Sequence, residues 1–184
     1  MWVDVLGSAP FAFLHASREA SAILAEAGVA SEWTVGSAAA VSTDDELKVV
    51  VMEGITRGAR LPEHVMGGTR RGAQSRTTWV YLSNVLWALG LQDRSTRTFT
   101  PGEEVEIARA LGRVVAHEIV HALAPDVPHS RNGLMASRIG RAQLVHGTPT
   151  LSAREQKALR AGLATFAART EPVTDEVAMA AALR

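Results

Sequence analysis

The chain contains no cysteine among its 184 residues. Disulfide frameworks and thiolate metal sites are thereby excluded, and any metal must be held by histidine, aspartate or glutamate. Net charge is also missing: 19 lysines and arginines balance 19 aspartates and glutamates. Nothing in that balance would draw in nucleic acid or an anionic membrane. No apolar run reaches the roughly 20 residues that a spanning helix needs. The start, Met1-Trp2-Val3-Asp4-Val5-Leu6, has no basic region, and Asp4 breaks its apolar run, so it does not read as a signal peptide. Two locations stay open: the cytoplasm for a full-length chain, secretion for one trimmed to a mature boundary. What is present is ordinary, with 47% hydrophobic and 21% charged residues, which fits one folded domain with a proper core rather than disorder.

Residues 3–6 form a short apolar run closed by Gly7-Ser8 and read as a strand. Over 10–27 the spacing of Phe13, Ala16, Ala20, Ile23, Leu24 and Ala27 predicts a helix, with Gly28 as the stop. Residues 32–35 are a candidate second strand, 47–52 a buried β-branched one, and 77–82 have strand composition. The stretch from there to Leu91 is ambiguous between helix and loop. Segment 54–76 is rich in glycine and arginine (Arg57, Arg60, Arg70, Arg71, Arg76). The balanced charge favours a solvated loop there over an anion-binding patch, with His64 as a surface histidine.

Thr100-Pro101-Gly102-Glu103 is the clearest helix start. Thr100 can cap, Pro101 suits the first helical position, and Glu103 can return a bond to the cap. Helical spacing continues through Val105, Ala108, Leu111, Val115 and Ile119 to about Ala124, and Pro125 forbids more. Ser152-Ala153-Arg154-Glu155 opens another helix running to about Ala168, and the tail after Pro172 reads as a short amphipathic helix. The order predicts one α+β domain over 1–184, with the sheet in about 1–100 and the helical part in 101–184.

The chemistry lies in His117-Glu118-Ile119-Val120-His121. Histidines four apart on a helix share one face, where both imidazoles can reach a single cation. Glu118 projects beside them and can take a proton from a metal-bound water without being a ligand. Apolar neighbours Val114, Val115, Ile119, Val120 and Leu123 put this helix in the interior, where imidazoles and a carboxylate are costly unless paired or metal-bound. A catalytic zinc takes a third protein ligand and keeps one position for water. His129 is the first candidate, returned by the stiff turn Pro125-Asp126-Val127-Pro128; Asp126 and Glu155 are the rivals. Downstream, Gly133 suits a tight turn ahead of Met135.

The run His117-Glu118-Ile119-Val120-His121, then His129, then Gly133-Leu134-Met135, resembles the metzincin clan of zinc peptidases. It is most similar to small bacterial predicted zinc proteases that follow HExxH with His-Ser-x-x-Gly-(Ile/Leu)-Met; here that is His129-Ser130-Arg131-Asn132-Gly133-Leu134-Met135. The resemblance implies Zn²⁺ on His117, His121 and His129, Glu118 as general base, and Met135 in a methionine turn. It implies a small twisted mixed sheet with a backing helix, an active-site helix and a C-terminal helix. A peptide or protein substrate would lie extended along an edge strand. The pattern departs from HExxHxxGxxH: Ala124 stands where the glycine belongs, and His129 comes two residues late. The tyrosine that some members place after the methionine turn is also missing, since the one tyrosine is Tyr81; His146 or Arg138 are stand-ins to consider.

The expected activity is hydrolysis of a peptide bond by metal-activated water. Two alternatives differ in class or ligand set: a catalytically silent zinc-binding interaction module, and a regulatory or gluzincin-type peptidase with a carboxylate third ligand.

Overall fold

The computed structural model describes residues 1–4, 11–36, 46–53, 64–69, 74, 76–92 and 98–169. Within them the chain is mixed α and β, with a four-stranded sheet and five helices. The strands are β1 (Trp2–Asp4), β2 (Lys48–Met52), β3 (Gly67–Thr69) and β4 (Thr77–Tyr81). The helices are α1 (Ala12–Glu26), α2 (Leu82–Ala88), α3 (Pro101–Leu123), α4 (Arg141–Val145) and α5 (Ala153–Ala168). Sheet order is β1-β2-β4-β3: β1 and β4 run parallel to β2, and β3 runs antiparallel to β4 at the edge.

The period of two along the strands sets which face is covered. Val49, Val51, Thr78 and Val80 are fully buried, while Lys48, Val50, Met52, Thr77, Trp79 and Tyr81 are half-buried. The buried face joins α1 and α3 in one hydrophobic core. Helix α1 contributes Ala12, Ala16, Ala20, Ile23 and Leu24, an apolar stripe at helical spacing.

Helix α3 is the centre of the molecule. It begins as its sequence predicts: Thr100 Oγ1 accepts from Glu103 N at 3.3 Å, and Glu103 Oε2 accepts from Thr100 N at 2.9 Å. It packs against α1, α2, α4, α5, β3 and β4. Fifteen of its 23 residues are buried, so its second half has almost no solvent side and every polar group there needs a partner. Full burial of Leu111 and Ile107 is worth roughly 1.5–3 kcal/mol each. Val105, counted with the apolar stripe from its spacing, is instead exposed, near the start of α3 where Pro101 and Gly102 are exposed too.

Residues 32–35 do not form a strand of their own. Only Val35 bridges Trp2, flanked by Trp2 N to Thr34 O at 2.7 Å and Gly36 N to Trp2 O at 2.8 Å. The ambiguous stretch after β4 is helical, as α2. Segment 54–76, expected to be loop, contains β3. Arg76 is not a solvated charge either: its guanidinium stacks 4.7 Å from the Phe166 ring centroid on α5. Residues 5 and 6 of the first predicted strand, Arg57, Arg60, Arg70, Arg71 and the tail after Pro172 lie outside the described residues. No helix among the described residues is long and apolar enough to cross a membrane.

Candidate metal centre

His117 and His121 lie one turn apart in the last two turns of α3. After Leu123 the helix cannot continue, because Pro125 lacks the amide hydrogen the next turn needs. The chain turns through Val127 N to Ala124 O at 3.0 Å, and buried Val127 anchors the turn. Ser130 then pairs with the segment after the next bend: Ser130 N donates to Met135 O at 2.7 Å and Ser137 N to Ser130 O at 3.2 Å. These bonds bring His129 back over the helix.

Three imidazole nitrogens converge. His129 Nε2 lies 3.1 Å from His121 Nε2 and 3.3 Å from His117 Nε2, and the ligand atoms of all three fall within 4.8 Å of one another. A tetrahedral zinc with nitrogen ligands at about 2.0–2.1 Å separates them by about 3.3–3.4 Å, so the spacing fits a shared cation. His117 is buried, His121 half-buried and His129 exposed, which leaves the cluster open on one side. The residues brought together are those named from the sequence; the cluster can hold a metal ion.

His117 is oriented from behind. Its Nδ1 donates to the Leu134 carbonyl at 2.8 Å, which fixes the hydrogen on Nδ1 and leaves the Nε2 lone pair toward the other two rings. Burial pushes its pKa down to about 4, with the neighbouring His129 adding to the fall, against upward pulls from the Leu134 bond and Glu155. It is therefore neutral and able to ligate at pH 7. Gly133, with φ +81°, makes the bend before Leu134; Leu134 N in turn donates to Thr150 O at 3.1 Å. Met135 follows, fully buried.

Glu118 is buried beside the histidines, and β3 holds it. Thr69 Oγ1 donates to Glu118 Oε2 at 2.9 Å and approaches the Glu118 carbonyl at 3.2 Å. Burial raises the carboxyl pKa to about 7, and the Thr69 bond opposes part of that rise. An acid poised near neutrality suits proton transfer at physiological pH. Its own partial burial, helped by the Glu118 charge, raises Tyr81 on the adjoining strand above the usual phenol range.

A cleft of about 550 Å³ opens over the cluster. One wall is the β3 segment from Val65 to Thr69, and the floor is Val114, His117, Glu118 and His121 of α3. His129, the Pro125–Pro128 turn, Ala136, Ser137 and Ile139 complete the lining. His64 is exposed, as the sequence suggests, yet it also lines this cleft.

The rival ligands are placed elsewhere. Asp126 is exposed in the cleft lining and lies outside the cluster. Glu155 is buried in its own capping box, where Oε2 accepts from Ser152 N at 2.7 Å. Neither stand-in for a tyrosine lines the cleft: Arg138 is exposed beyond it, and His146 borders a second cavity with Glu19, Arg109 and Arg113. Thr69 and Gly67 are site residues that the sequence reading missed, because nothing local marks Gly67-Gly68-Thr69 as a strand.

Comparisons with family models, with curated proteins and with solved structures find no match to this chain.

Proposed function

We propose that this protein is a zinc-dependent metallopeptidase of metzincin-like build. The observation that carries the reading is the convergence of three histidine Nε2 atoms at 3.1 and 3.3 Å with a buried, near-neutral carboxyl next to them in one cleft. His117, His121 and His129 would hold the ion. Zinc held there would supply Lewis acidity toward the attacking water and the scissile carbonyl. Glu118 accepts the proton of the attacking water and returns it to the departing amine. The edge of β3 facing the cleft offers backbone groups to an extended peptide, which supports a peptide over a compact small molecule as substrate.

Three histidines with no fourth protein ligand among the described residues support a catalytic over a closed structural site. A silent interaction module has no use for Glu118 beside the cluster, and a carboxylate third ligand would need Asp126 or Glu155 to leave the places described above.

The test is zinc content together with chelator-sensitive cleavage of a mixed peptide library. Glu118→Gln is expected to keep zinc and lose at least a hundredfold in turnover. Full turnover in that variant, or cleavage indifferent to chelator, defeats the reading.

A further inference from the structure

One side chain joins the sheet edge to the carboxylate, and the ligand set does not require it. Thr69 ends β3, and its single hydroxyl hydrogen is shared between Oε2 of Glu118 at 2.9 Å and the carbonyl of the same residue at 3.2 Å. Two residues earlier, on the same face of the strand, Gly67 lies directly against the carboxylate: a Cβ there would sit 2.6 Å from Oε1 and 2.7 Å from Cγ. Glu118 is therefore gripped at both its backbone and its carboxylate end by one hydroxyl, with strand backbone filling the space into which it would otherwise rotate.

The geometry points to Thr69 as the positioning residue for Glu118, engaging Oε2 and leaving Oε1, on the Gly67 side of the carboxylate, for the proton. This rests on the peptidase reading above. A hydrogen bond to an ionised carboxylate is among the stronger ones available to a neutral donor, and Oε1 keeps its lone pairs for the proton of the attacking water. Among the described residues, the hydrogen bonds of the Thr69 hydroxyl go to Glu118 and to no histidine of the cluster. Its loss should act on the proton-transfer step and leave ion and substrate binding alone.

The experiment compares zinc-loaded wild type, Thr69→Val and Thr69→Ser. Valine keeps the shape without the donor; serine keeps the donor. Zinc affinity is read by competition with a chromophoric chelator, and kcat and KM with a peptide drawn from the library. The expected result is a kcat at least tenfold lower in Thr69→Val, with KM and zinc affinity within twofold. Thr69→Ser should recover to within about threefold of wild type. A kcat within twofold of wild type in Thr69→Val overturns the proposal. So does an equal loss in both variants, or a loss lying in KM, since these mark strand packing rather than the bond.

If wild type cleaves no peptide, the peptidase reading fails by itself, and Thr69 is judged on acetohydroxamate binding to the zinc-loaded proteins. That probe releases a proton to a neighbouring carboxylate as it chelates. Tenfold weaker binding in Thr69→Val, restored in Thr69→Ser, supports the assignment; equal binding in all three overturns it. A protein that takes up no zinc overturns both proposals.

Discussion

His117 donates from Nδ1 to the carbonyl of Leu134 at 2.8 Å, so the first histidine of the cluster is aimed by a turn 17 residues further along the chain. That turn depends on Gly133. A side chain there would face a positive φ and a Cβ 2.8 Å from the Thr150 carbonyl oxygen. Gly133→Ala should shift Leu134 and release the His117 ring, weakening zinc affinity by roughly 10- to 100-fold, as for other losses of a partner behind a ligand. Chelator competition on folded variant and wild type measures it. Equal affinities would show that the Leu134 bond does not set the ring.

Gly67 and Glu118 should be energetically coupled. The Cβ of Gly67→Ala collides with the Glu118 carboxylate, so the variant loses stability, and in a Glu118→Ala background the clash is gone. A double-mutant cycle by urea unfolding is expected to give a coupling of about 1–3 kcal/mol. Additive losses would mean that β3 and the carboxylate do not meet as described.

Opposing titrations should flatten the pH dependence of stability in protein stripped of metal by a chelator. Glu118 rises from 4.5 to about 7 on folding, so its contribution is present below pH 4.5 and is lost as pH rises through 7. His117 falls from 6.5 to about 4, so its contribution is present above pH 6.5 and is lost as pH falls through 4. Between about pH 4.5 and 6.5 the two slopes cancel. Glu118→Gln removes one of them, and the variant should lose about 2–3 kcal/mol relative to wild type on acidification across that window. Urea midpoints at several pH values report this; parallel curves for the two proteins contradict it.

Much of this architecture is written locally, and most of what depends on distant pairing is not legible in the sequence. Helix α3 is legible because Thr100, Pro101 and Glu103 specify its start and Pro125 its end, all by near-neighbour chemistry. His117, Glu118 and His121 are legible for the same reason, since helical spacing alone puts the two histidines on one side. His129 was a candidate among three, because its return depends on pairing between Ser130 and Met135 that no periodicity announces. Strand β3 has three residues, two of them glycine, and is a strand only because Gly67, Gly68 and Thr69 find Val80, Trp79 and Thr78. Thr69 could not be linked to Glu118, 49 residues away, before that pairing was known. Arg76 misled in the same way: its charge suggested solvent, and its partner is a ring on α5.

X-ray absorption at the zinc edge tests the metal centre most directly. On purified protein given one equivalent of zinc, the expected coordination is three imidazole nitrogens at about 2.0–2.1 Å with one further oxygen, and one imidazole fewer in His129→Ala. Failure to take up zinc, or spectra that are identical in wild type and His129→Ala, would contradict it.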